Sequence, residues 1–96
     1  MVTVTFRPSQ KKDKKLNAIF SNGKVVSFGA QGYSDYTIHK DPRRKSLYIQ
    51  RHKRHENWSN LQSPGALSRF VLWEYPDLKK AENIYKLKVI QWHKKV

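Results

Sequence analysis

Apolar and polar residues alternate at the start of the chain. Val2, Val4 and Phe6 are separated by Thr3, Thr5 and Arg7, which is the period of a strand with one buried face. Pro8 ends the alternation. The charge run from Gln10 to Lys15 (QKKDKK) reads as a solvated loop, and Leu16 to Phe20 as a second strand. Asn22-Gly23 then stands between Ala18-Ile19-Phe20 and Val25-Val26-Ser27-Phe28. Both residues of that pair tolerate positive φ, so it predicts a hairpin closed by a type I′ turn. Residues 1–28 are thus expected to form a small antiparallel sheet.

Beyond the sheet the periodicity changes. Gly29 and Gly32 bracket a turn in FGAQG, and YSDYTIHK shows neither clean alternation nor a helical period, which predicts a loop or a single helical turn. Asp41-Pro42 pairs an N-cap residue with Pro at the first helical position, where the missing N–H costs nothing; a helix is expected from Pro42 to about Glu56. Ser63-Pro64 repeats that signature ahead of Gly65–Trp73, where Leu67, Phe70, Val71 and Trp73 share one broad apolar face. After Pro76-Asp77, Leu78, Ala81 and Tyr85 recur at helical spacing, while Tyr85, Leu87 and Val89 alternate like a strand. This predicts a helix to about Ile84 followed by a C-terminal strand, with His93-Lys94-Lys95 as a frayed basic tail. Trp73 with Phe70, and Trp92 with Leu87, read as core. The expected fold is α+β in one domain over 1–96, a small antiparallel sheet followed by two or three short helices: β-rich at 1–28, a basic helix at 41–56 and a helical core element with a C-terminal segment at 63–92.

Composition agrees with one small core. A chain of 96 residues buries only about 60–65% of its unfolded surface, so the stability margin is modest. Three Trp, five Tyr and four Phe still supply enough apolar area to exclude wholesale disorder. No run of residues has the length and apolarity of a membrane span, and the N-terminus lacks the apolar stretch of a secretory signal, so an intracellular, soluble protein is expected. The absence of Cys removes disulfides, thiol catalysis and any thiolate zinc site.

Charge changes the picture more. Twenty Lys and Arg face seven Asp and Glu, a net charge of +13, well beyond the magnitude of roughly 2–8 that keeps a small domain soluble. Between Thr37 and His55, Lys40, Arg43, Arg44, Lys45, Arg51, Lys53 and Arg54 stand against Asp41 alone. On a helix, Arg43, Arg44, Arg51 and Arg54 fall with Leu47 inside a stripe about 100° wide, and Tyr48 and Ile49 offer an anchor on another face. Guanidinium forks on such a stripe suit bidentate contacts to phosphate or carboxylate, and the few acids of the chain cannot neutralise them by internal pairing. The partner is therefore expected to be anionic.

Specific chemistry is harder to find. His52 and His55, three apart on a helix, could point the same way, but these histidines and His39 lack the thiolates that a structural zinc site wants, and the neighbouring cations repel a divalent ion. His39, His55 and Asn57 are not arranged as a His-Asn-His nuclease requires. No Gly-rich phosphate loop, catalytic carboxylate pair or nucleophile elbow is present, so no enzyme activity, cofactor or small-molecule substrate is expected. Tyr33, Tyr36, Tyr48 and Trp58 could stack on unpaired bases, although in so small a domain aromatics more often form core. Tyr33, Tyr36, His39, His52 and Trp58 are the candidate interface residues beside the cationic stripe.

The segment Phe28–Trp58 also carries a family pattern. Gly32, Tyr33, Ser34, Asp35, Tyr36, Thr37, His39, Lys40, Asp41, Arg44, Lys45, Tyr48, Arg51, His52, Glu56, Asn57 and Trp58 spell GYSDYT–HKD–RK–Y–RH–ENW. In this the chain resembles a small family of proteins, without an established activity, from large double-stranded DNA viruses of algae and amoebae. GALSRFVLW, from Gly65 to Trp73 and followed by Pro76, resembles that family's glycine–aromatic–Ser-Arg–aromatic–Leu-Leu-Trp element, with departures at Leu67 and Phe70. The part from Ile84 onward has no counterpart in it. The resemblance implies a viral source and two candidate roles: a minor structural, cement-like component of the virion that meets acidic patches of capsid proteins, or a protein that contacts the phosphates of viral DNA or RNA. Asp35 and Asp41 beside the basic helix favour the first role, because a purely electrostatic DNA binder has no need of them.

Overall fold

The computed structural model describes residues 2–94, and the side chains of 2–92. Three antiparallel strands lie in the order β1 (Val4–Pro8), β2 (Lys14–Phe20), β3 (Val25–Ala30). The register pairs Val4 with Phe20, Phe6 with Ala18, Leu16 with Phe28 and Ala18 with Val26, so the alternating apolar set reaches one face together. The hairpin falls where Asn22-Gly23 predicts it, with different turn geometry. Gly23 N–H donates to Phe20 O at 3.0 Å, Phe20 N–H donates to Lys24 O at 2.9 Å, and of the turn residues only Gly23 has positive φ. This is a type I turn closed by a glycine bulge in place of a type I′ turn: only one residue has to enter the left-handed region, and glycine enters it without steric cost.

Among the described residues four helices follow: α1 (Tyr36–His39), α2 (Pro42–His52), α3 (Pro64–Leu67), which widens directly into a π-helical stretch Ser68–Leu72, and α4 (Leu78–Lys94). They stand in place of the two or three short helices expected, because Asp35 caps an extra turn and α4 runs on through the expected strand. Capping chemistry sets their starts. Asp35, Asp41 and Ser63 accept hydrogen bonds from the backbone N–H of Thr37, Arg43 and Ala66, and Pro42 and Pro64 occupy first-turn positions. The basic helix ends four residues before the expected Glu56, because Lys53-Arg54-His55 bring nothing apolar to bury and a further turn would have no packing to hold it.

The C-terminal strand is absent and α4 runs through instead. Leu78, Ala81, Tyr85, Val89 and Trp92 form one stripe at spacings of three and four, whereas Leu87, which a strand would bury with Tyr85 and Val89, is 62% exposed. Trp92 accordingly packs on the core without Leu87. In the expected tail, His93 and Lys94 fall within α4, and Lys95 lies outside the described residues.

The core joins the inner sheet face (Val4, Ala18, Phe20, Val26, Phe28) to Leu67, Val71 and Leu72 of α3 and the π stretch, and to Tyr85 and Val89 of α4. Phe6 meets Phe28 and Tyr85 edge-on, each at 6.1 Å between centroids. The Tyr85 hydroxyl donates to Leu61 O at 2.6 Å, tying α4 to the loop ahead of α3. No helix among the described residues is long and apolar enough to cross a membrane.

Candidate anion-binding face and groove

α2 is fixed at its start by a run of local contacts. Asp35 is 2% exposed, caps α1, accepts from the Thr37 hydroxyl and pairs with Lys15 Nζ at 2.6 Å. Lys40, at φ 57, turns the chain from α1 to α2. The Asp41 backbone N–H donates to His39 Nδ1 at 3.0 Å, while the Asp41 carboxylate caps α2. His39 packs 5.2 Å from the Trp73 ring.

The inner face of α2 carries an aromatic stack. Tyr48 lies between Trp73 (4.2 Å, 4° between planes) and His52 (4.1 Å, 24°). Burial first, and the nearby Glu56 carboxylate second, push the Tyr48 phenol well above its ordinary range, against the opposing pull of Arg69 and Arg51. Glu56 closes the stack: its carboxylate contacts His52 Nδ1 at 2.9 Å and accepts from Trp58 Nε1 at 2.7 Å. Gly65 makes room for it, since a Cβ there would stand 3.2 Å from the Glu56 carboxyl.

Lys45 belongs to this internal framework, contrary to its expected place in the partner-binding set. Its Nζ donates to Glu74 O at 2.8 Å and to Oε1 at 3.1 Å, while Arg69 Nη1 reaches Glu74 Oε2 at 2.9 Å. Burial alone would raise the Glu74 carboxyl, but the Lys45 hydrogen bond and the charges of Arg69 and Lys45 outweigh it and hold it below the ordinary carboxylate range.

Six of the seven cations expected at the surface remain exposed: Lys40, Arg43, Arg44, Arg51, Lys53 and Arg54 make no ion pair among the described residues. The single stripe read from the sequence separates in space. Arg44 and Arg51, two helical turns apart, border the Tyr48 side of α2 and line a groove of about 480 Å³. Arg43 shares the outward face with Leu47, which is 50% exposed, and Arg54 lies past the helix end. Of the candidate interface residues, Tyr33 is 74% exposed at the groove and His52 lines it. Tyr36 and His39 are half-buried, Tyr36 under Lys45 Nζ and His39 beside Trp73, and Trp58 is held between Glu56 and the Arg69 guanidinium.

The groove also draws on residues that the sequence assigned elsewhere. Lys14, Lys15, Ser34, Gly65 and Ser68 line it, with Phe28 and Leu72 buried beneath it. Lys14 and Lys15 were expected in a solvated loop and instead open β2. Their signal was present in register terms only, as the residues immediately ahead of an apolar strand.

The family described as "Family of unknown function (DUF5754)" matches residues 4–52, just over half of the 96 residues. The chain belongs to that family. The matched part takes in the whole sheet, α1 and all of α2, and therefore Lys14, Tyr33, Arg44 and Arg51; Glu56, Gly65 and Trp73, which close the stack and the groove, lie beyond it. No curated protein and no solved structure matches the chain.

Proposed function

We propose that this protein is a non-enzymatic structural component of a large DNA virus particle, a minor capsid or cement-like subunit that docks through α2 on an acidic patch of a neighbouring shell protein. The observation that carries the reading is the division of charge. Asp35, Asp41, Glu56, Glu74 and Asp77 are engaged inside the fold as caps or ion pairs, while six cations of the α2 region stay free. Leu47, exposed among those arginines, adds the apolar contact that a protein interface uses and a phosphate backbone does not. Viral origin enters through the resemblance in the Phe28–Trp58 segment.

One observation favours a second reading, sequence-independent contact with viral DNA or RNA. Asp35 and Asp41, which argued for a protein partner in the sequence, are helix caps in the fold and leave the arginine face free of acid. The readings separate in one experiment. Purified protein is mixed with stripped capsid shells and, in parallel, with duplex DNA at low salt. Sedimentation with shells that is lost when Arg43, Arg44, Arg51 and Arg54 are all changed to Gln, without DNA binding, supports the capsid role. Salt-sensitive DNA binding lost in the same variant, without shell association, supports the second.

A further inference from the structure

The groove beside α2 differs from the open arginine face in being amphipathic. Its apolar surface is offered by Tyr33, Pro64 and the half-buried Trp73, above Phe28 and Leu72, which are buried beneath it, and its rim carries Lys14, Arg44 and Arg51. The two carboxylates that border it have partners within the fold: Asp35 pairs with Lys15, and Glu56 contacts His52 Nδ1 and accepts from Trp58 Nε1. The charge left for a ligand is therefore positive, since both lining carboxylates already have partners. At about 480 Å³ the groove falls within the range of about 300–1,000 Å³ of ligand sites, ample for one large side chain with its flanking backbone.

Two glycines among its lining residues allow close packing of its walls. Gly29, at φ 79, lets β3 pass so close to the π stretch that a Cβ would meet Leu72 Cδ1 at 2.8 Å, and Gly65 admits the Glu56 carboxylate that holds His52 against Tyr48. Arg44 and Arg51 are separated by seven residues, about 10 Å along the helix axis. That spacing equals about three residues of extended chain, so two carboxylates three residues apart, with an apolar residue between them, can reach both guanidiniums.

We infer that this groove is a peptide-binding site that takes an extended acidic segment of the partner protein, with an aromatic or aliphatic side chain against Tyr33, Pro64 and Trp73 and its flanking carboxylates on Arg44, Arg51 and Lys14. This rests on the proposed protein partner and identifies what part of it is bound. The occupant follows from complementarity: the rim asks for negative charge and the apolar surface for an apolar group, and an acidic segment with an embedded apolar residue supplies both.

The test titrates the full chain with acetyl-Glu-Glu-Phe-Glu-Glu-amide and follows intrinsic fluorescence, because Trp73 lines the groove. Saturable binding is expected, with none for the peptide carrying Gln in place of Glu. Two variants lose the same charge: Arg44→Gln with Arg51→Gln in the groove, and Arg43→Gln with Arg54→Gln outside it. The groove pair is expected to weaken binding by about tenfold or more and the outer pair by less than about threefold. Ser68→Phe, which fills the groove without changing charge, is expected to abolish binding while circular dichroism shows an unchanged fold. Equal losses from the two arginine pairs, or full binding by Ser68→Phe, would overturn the inference. So would tighter, groove-dependent binding of an oligothymidylate of equal charge, which would make the occupant an unpaired nucleic-acid strand. If shell association is lost in the outer pair and kept in the groove pair, the capsid role stands and the peptide groove falls.

Discussion

Lys40 holds a backbone conformation that L residues avoid. At φ 57 and ψ 31 it ends α1 in the left-handed region, where a Cβ crowds the neighbouring carbonyl. Its side chain is exposed and makes no ion pair among the described residues, so Lys40→Gly removes strain and little else. The expected gain is about 0.5–1 kcal/mol after the greater backbone entropy of glycine, a Tm rise of about 2–6 °C in a thermal melt. A lower Tm would mean that the side chain contributes contacts that outweigh the strain. Tyr85 presents the opposite case, since its buried hydroxyl satisfies Leu61 O. Tyr85→Phe leaves that carbonyl unpaired and is expected to lose about 1–3 kcal/mol in urea denaturation, with an unchanged slope.

Two glutamates give the stability opposite dependences on pH. Glu74 is held below its ordinary range despite its burial, so its contribution is present above the unfolded carboxyl range and is lost as pH falls through its lower folded value. Glu82 is raised, first by burial and against the pull of Lys86 and Lys79, so its charged form destabilises the fold at neutral pH and the penalty disappears on acidification. Glu82→Gln is therefore expected to raise Tm at about pH 7 and to converge on the parent at about pH 4, whereas Glu74→Gln lowers Tm at about pH 7 and flattens the acid side of the curve. Thermal melts across that range check both signs.

Among the elements, α2 shows most plainly which signals act locally. Its start was legible because Asp41-Pro42 is chemistry within one turn: a carboxylate accepts the Arg43 N–H, and proline occupies a position that needs no donor. Asp41→Ala is expected to cost about 1 kcal/mol and to leave the helix anchored by Tyr48 and Lys45. Loss of α2 altogether, visible in helical ellipticity, would show that those anchors do not suffice. Its end was not legible, since Lys53-Arg54-His55 continue a helix as well as they leave one and only the lack of a surface to bury decides. α4 misled for a related reason. Tyr85 and Val89 satisfy both periods and Leu87 only that of a strand, and the choice was made by Ala81, Tyr85 and Val89 reaching one core while Leu87 points to water. At the hairpin Asn22-Gly23 located the reversal, but the turn type depended on how β2 and β3 register, which a dipeptide does not encode.

For the molecule as a whole, charge separates two populations. Most acids are drawn inward as caps and partners, and the surface of a chain with a net charge of +13 repels itself. Raising salt from about 20 to 150 mM should therefore increase Tm while weakening association with any anionic partner. Changing Arg43, Arg44, Arg51 and Arg54 together to Gln should abolish that association without lowering Tm, because none of the four makes an ion pair among the described residues. A fall in Tm would place one of them within the fold.

By itself the sequence determined the α+β class, the sheet, the starts of α2, α3 and α4 and the excess of cations. Those follow from periodicity, capping and composition, which act over a few residues or over the whole chain without regard to geometry. Only the tertiary structure decided that Lys45 faces inward to Glu74, that Arg44 and Arg51 part from Arg43 and Arg54, and that Lys14 and Ser68 meet them across a groove. Such contacts join residues far apart in the chain, and their formation depends on the packing of the sheet against α3 and α4, which no local pattern carries.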